Sequence, residues 1–366
     1  MDAAGFDHLA RAAARTRSRR TFTGVAAVSL ALSLVGLPGE ASAKKAKKKP
    51  LCLNGQTIKA SSKKRKKLIK QGATPGACCV PQCNGTSCGG ADGCGSVCGC
   101  NAGAVCNAGA CTVCTLTCAN SPSVCGSLLT QALIDGGTIV ACPGRYAGQF
   151  SITKAITLIG AGAGDDPATS TILDAQGQGR VISVAAAMAL SLVNVRVTGG
   201  AINGDGAGIL GSLNSDIRVT GCTLTGNSAT GYGGGLQSNG PVRLTNSLVT
   251  LNQALNGAGL VLNADQSFIT ASTITANTAG FNGGGARIDG NTTITGTEIS
   301  GNTAVNRGGG LFVTALATLD SGTRITGNQA GDGGGIYRQN GGVTFGGATI
   351  TANQPDNCDG APALTC

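Results

Sequence analysis

The chain has 366 residues, with 61 Gly, 17 Cys, no Trp and only 3% aromatics beside 41% hydrophobic residues. Glycine without a Gly-X-Y period excludes a collagen-like chain, and the apolar fraction is too high for a disordered one. The formal charge of +10 is local: residues 44–70 hold twelve Lys and Arg and no acid, whereas the chain beyond Lys70 has 10 basic against 14 acidic residues. With so few rings, base stacking and groove reading are not expected, so no specific nucleic-acid partner is inferred.

Residues 1–43 read as an export signal. Arg11, Arg15 and Arg17 lead to Ser18-Arg19-Arg20-Thr21-Phe22, an apolar run follows over 25–37, and Ala41-Ser42-Ala43 ends it. That run is too short to span a bilayer. The string SRRTFTG resembles the twin-arginine motif, and an Arg-rich general secretory signal is the alternative. Either route predicts a secreted or cell-surface protein with no transmembrane span once the signal is removed. Residues 44–77 then read as a basic Lys-rich linker, serving as a solvated spacer or as an anchor to an anionic polymer or surface.

Residues 78–125 carry twelve of the cysteines, and the stretch CNGTSCGGADGCGSVCGCNAGAVCNAGAC has almost no bulky apolar side chains. Such a segment cannot bury enough surface to fold unaided and needs cross-links. Disulfides are the expected form in an exported chain. A metal site built on Cys111-x-x-Cys114 with Cys118, or on Cys94-x-x-x-Cys98, has no histidine partner, because His8 in the signal is the only one. No metal and no cofactor are therefore expected. The odd total of seventeen predicts at least one unpaired thiol, and Cys222 is the candidate because the repeat register points it inward. Cys358 and Cys366 are expected to close the C-terminal end on each other, and Cys142 to tie the first coil to the module through Cys125.

From residue 126 onward the chain reads as a coil of repeats, preceded by a short capping helix over 127–134 that covers the open end. Asn227, Asn252, Asn277, Asn302, Asn328 and Asn353 are separated by 25, 25, 25, 26 and 25 residues. Three positions before each stands Leu224, Val249, Ile274, Ile299, Ile325 or Ile350. Leu244, Ile269, Ile294, Leu319 and Phe345 form a second aliphatic column, and Leu236, Leu260, Ala286, Leu311 and Ile336 form a third after the Gly triplets. Alternating side chains in three short segments per repeat predict three strands per coil. Coils stacked about 4.8 Å apart would merge the columns into one core, with the Asn column as an internal hydrogen-bonded ladder.

These residues resemble a known family. GGTIVACPGRYAGQFSITKAITLIGAG and STILDAQGQGRVISV look like the opening of pectate-lyase-like proteins, and the I-T-x-N and G-G-G-L pairs are similar to repeats of polymorphic outer-membrane autotransporter adhesins. The resemblance implies an all-β, right-handed parallel β-helix of about nine coils over 126–366, preceded by the small Cys-rich module. It implies a fold that hosts lyases, hydrolases and adhesins alike. The chain stops soon after its last coil, so self-transport through a barrel of its own is not expected.

Lyases of this family use an Arg or Lys base with calcium held by acids, and its hydrolases use grouped Asp; here Asp165-Asp166 is the sole acidic doublet, so no catalytic set is assigned. A non-enzymatic adhesion, carbohydrate-binding or cell-envelope scaffold role is favoured, with a polysaccharide or envelope polymer as partner. The alternatives are a lyase or hydrolase of acidic polysaccharide and an ice-binding protein, the latter suggested by Thr-x-Thr pairs that Glu298 and Arg324 interrupt. The expected ligand-facing strip follows the Gly triplets: Asn239, Asn263, Arg287, Asp289, Phe312, Tyr337 and Gln339, with the two rings exposed for stacking on a sugar.

Overall fold

The computed structural model describes residues 49–53, 56–60, 62–70, 74–75, 103–107, 109–118, 121–360, 364 and 366. The expected export signal and the cysteines from 78 to 100 lie outside them. The chain divides after Cys78 into two units. Within the span expected as a linker, Lys49–Leu53 and Gln56–Ala60 form an antiparallel hairpin, Thr74–Pro75 adds to its edge, and helix α1 spans Ser62–Lys70. The Lys, Arg and Leu of SKKRKKLIK, none of them branched at Cβ, lose little side-chain freedom in a helix.

The second unit opens with a hairpin of Ala104–Asn107 and Ala110–Val113, and then helix α2, Pro122–Asp135. Proline at the start of α2 lacks the N–H that a first turn leaves unpaired anyway, so the helix begins five residues before the expected 127. Cys125, Gly126, Leu129 and Leu133 make its buried stripe. Gly126 is there because a Cβ would run into the backbone of Ala147.

Beyond α2 the chain is an all-β parallel solenoid. Three sheets each hold nine strands: sheet 1 runs from Gly144–Ala147 to Thr349–Thr351, sheet 2 from Phe150–Ile152 to Cys358–Gly360, and sheet 3 from Gly137–Val140 to Gly342–Gly346. Neighbouring strands are parallel and in register, so Val249, Ile274, Ile299, Ile325 and Ile350 sit over one another. The first four of these are wholly buried, and the three aliphatic columns belong to one core. Each coil covers the apolar face of the next, which no single coil can do.

A fourth sheet, of five short strands from Ala201–Ile202 to Thr303–Ala304, forms a lateral lobe that the three-strand reading did not contain. Its own small core is a column of Ala229, Ala254, Ala279 and Ala304 with Ala207 and Ala258. Glycine backbones pack against its strands: a Cβ on Gly284 would lie 2.6 Å from the Thr303 carbonyl oxygen.

Two internal polar ladders hold the corners. In one, each Asn Nδ2 donates to the next Asn Oδ1, at 3.1 Å from Asn227 to Asn252 and 2.9 Å from Asn277 to Asn302, and the backbone N–H of each donates to the same oxygen. In the other, Cys222, Ser247, Ser272 and Thr297 each accept a backbone N–H from the preceding coil and donate to the carbonyl two residues back. Cys222 is free and buried because it occupies a hydroxyl's place in this second ladder.

Three disulfides join described residues: Cys114–Cys142, Cys118–Cys125 and Cys358–Cys366. The expected Cys125–Cys142 link is thus corrected. Cys142 is drawn to Cys114 because Leu116 bridges Ala141, laying residues 114–116 alongside the first coil, while Cys118 reaches Cys125 in the first turn of α2. At the far end Leu364 packs on the core beside Val343 and Phe345, held by the Cys358–Cys366 link.

Candidate ligand-binding faces

The strip after the Gly triplets is an outward column of sheet 2: Gln237, Val261, Arg287, Phe312 and Tyr337 pair coil to coil. Its rings are not open to a sugar. Phe312 is 1% exposed and Tyr337 8%, and they stack on each other with centroids 5.7 Å apart and planes 5° from parallel. The Arg287 guanidinium lies 5.1 Å from the Phe312 ring and 5.5 Å from Tyr232, and that of Arg307 lies 4.7 Å from Tyr337.

The cover comes from the lobe. At Gly308, with φ +67°, the chain turns back so tightly that a Cβ would lie 2.9 Å from the Phe312 Cα. That turn sets Arg307 beside the sheet, and cations over aromatic faces fill the corner. The remainder of the strip is polar. Arg287 Nε donates to Asp289 at 2.6 Å, Asp289 accepts from Thr314 at 2.5 Å, and Asn263 donates to Asn239 at 2.7 Å. Asn239 and Gln339 are exposed.

Sheet 3 presents an open face. Arg218, Arg243 and Phe268 stand in one outward column, one per coil, with Ser191 before them and Thr293 after. Phe268 is 41% exposed, and the Arg243 guanidinium lies 5.9 Å from its ring. Asp216 accepts from Arg218 at 2.6 Å and from Arg243 at 3.1 Å, which fixes both guanidiniums near the surface. Toward α2 the same face hollows into a shallow groove lined by Thr138, Thr157 and Ser191, with Asp216 and Arg218 at one end. Sequence reading passed over this face, although Arg218, Arg243 and Phe268 are spaced by 25 and each precedes an inward aliphatic residue.

Sheet 1 presents a run of hydroxyls, Thr225, Thr250, Thr275, Ser300, Thr326 and Thr351, beside a second column broken by Leu248, Glu298 and Arg324. The ionisable groups are dispersed. Arg145 pairs with Asp174 and Arg307 with Asp332. The Gly296 N–H and the Thr323 hydroxyl hold the Asp320 carboxyl below its ordinary range, whereas burial, with Asp359 nearby, pushes that of Asp356 up. In the Asn203–Asp205 turn Asn203 Oδ1 accepts from the Thr230 hydroxyl and Asp205 Oδ1 from the Tyr232 N–H. Among the described residues no group of three or more His, Cys, Asp or Glu is placed to hold a metal, and no helix is long and apolar enough to cross a membrane. Compared with known proteins, the chain matches no family model, no curated protein and no solved structure.

Proposed function

We propose that the chain is exported and acts outside the cytoplasm as a non-enzymatic β-helix that holds a carbohydrate or other cell-envelope polymer along the outer face of sheet 3. The observation that carries this reading is the Arg218–Arg243–Phe268 column, an exposed ring flanked by fixed guanidiniums and rows of hydroxyls. A sugar ring stacks on an aromatic face while its hydroxyls take up charged and hydroxyl partners at the rim. The resemblance of the opening coils to pectate-lyase-like proteins agrees with an extended polymer lying across stacked strands. The formed disulfides suit an oxidising compartment.

Against a lyase or hydrolase stands the dispersal of acids and bases, since general acid–base work needs groups converging on one bond. Glycan-array binding of the mature chain, run beside turnover of polyuronides with calcium, tests the proposal. Binding should weaken at least about tenfold in Phe268→Ala and in Arg243→Ala, consistent with a stacked or charge-assisted contact of about 1.4 kcal/mol. Binding retained in both variants but lost in Asn239→Ala or Gln339→Ala would move the site to the polar strip on sheet 2. Turnover that disappears in Arg287→Ala would overturn the non-enzymatic reading.

A further inference from the structure

Most of the charge in helix α1 opposes the rules that stabilise a helix, and only Lys67 and Lys70, in the last turn, suit its dipole. Its nine residues include Lys63, Lys64, Arg65, Lys66, Lys67 and Lys70, with no acid in the first turn. Cations in the first turn face the positive end of the helix dipole. Lys63 stands three and four residues before Lys66 and Lys67, which stand four and three before Lys70, and like charges at these spacings repel. Lys64, Lys66, Lys67 and Lys70 are exposed. No carboxylate side chain occurs anywhere between Glu40 and Asp92, so the hairpin that carries α1 supplies no counter-charge from its own sequence.

We infer that α1 and its hairpin form a docking surface for a linear phosphate polyanion. A chain of closely spaced phosphates supplies the missing negative charge along the helix and turns its internal repulsion into attraction. A bilayer suits the helix less well. Its apolar side chains, Leu68 and Ile69, are consecutive and have no apolar partner three or four residues away within the helix, so there is no apolar face to bury among acyl chains. This inference is independent of glycan binding on sheet 3.

Inorganic polyphosphate is the probe, titrated into the full mature chain. Binding should fall steeply with salt, by at least about tenfold between 50 and 200 mM, as counterion release requires. The variant Lys63→Gln/Lys64→Gln/Lys66→Gln/Lys67→Gln keeps good helix formers at every position and should lose at least about tenfold in affinity. Circular dichroism should show its helix retained, and its glycan-array signal should stay at that of the unaltered chain. Phe268→Ala should leave polyphosphate binding unchanged. Undiminished binding by the four-Gln variant would overturn the inference. So would binding to phosphatidylglycerol vesicles without binding to polyphosphate, or a clear preference for duplex DNA over polyphosphate.

Discussion

Cys222 shows how one side chain is chosen by its place in a stack. Its Sγ accepts the Val195 N–H at 3.4 Å and donates to the Thr220 carbonyl at 3.3 Å, the same two contacts that Ser247 and Ser272 make with their hydroxyls. Cys222→Ser should therefore leave stability within about 1 kcal/mol, while Cys222→Val, which strands a buried N–H, should cost about 1–3 kcal/mol in urea unfolding. Burial also pushes the thiol up to about 12, against about 8.5 for a free cysteine. Between those values the unfolded chain has lost the proton that the folded chain keeps, so stability falls as pH rises. The contribution is complete below about pH 8.5 and is lost progressively toward pH 12. Unfolding midpoints measured from pH 7 to 10 should show this decline in the unaltered chain and a shallower one in Cys222→Ser.

At the scale of an element, the Asn corner should matter as much as an aliphatic rung, whose truncation to Ala costs about 2–5 kcal/mol. Asn277 donates to the carbonyls of Val249 and Thr275 and to Asn302, and accepts from the side chain and backbone N–H of Asn252. Asn277→Ala leaves several of these groups buried without partners, at about 1–3 kcal/mol each. A loss of about 3 kcal/mol or more is expected in urea unfolding, and a smaller one for Asn353→Ala, which is 7% exposed near the end of the stack. The columns could be aligned in advance because steps of 25 residues bring like residues together, and alternation then decides which side of a strand faces in. The lobe was hidden because its strands Ser228–Ala229 and Thr303–Ala304 are two residues long and carry no alternation to detect. Alternation likewise turns Phe312 and Tyr337 outward, but cannot reveal that Arg307, folded back at Gly308, covers them. Disulfide partners were the least legible, since connectivity depends on how residues 114–118 are laid against the first coil and α2.

For the whole molecule, stability is close to a sum over coils and the contacts between neighbours. The ends are then the weak points, and they are closed differently: α2 covers the first coil through Leu129 and Leu133, whereas the last is closed by Leu364 and the Cys358–Cys366 link. Cys366→Ser should open the last coil first. Hydrogen exchange should accelerate in residues 342–360 while residues 224–299 keep their protection, and equal acceleration throughout would mean that the solenoid unfolds as a single block.

The amide ladder also gives this protein a heading. From Gly200, whose N–H meets Asn227, to Asn357, which accepts from Asn353, every Asn oxygen is turned toward the earlier coil. The partial charges of a sheet largely cancel, but aligned amides in a dry interior add and polarise one another. The amide column is thus polarised along its length, negative toward the first coil and positive toward the last.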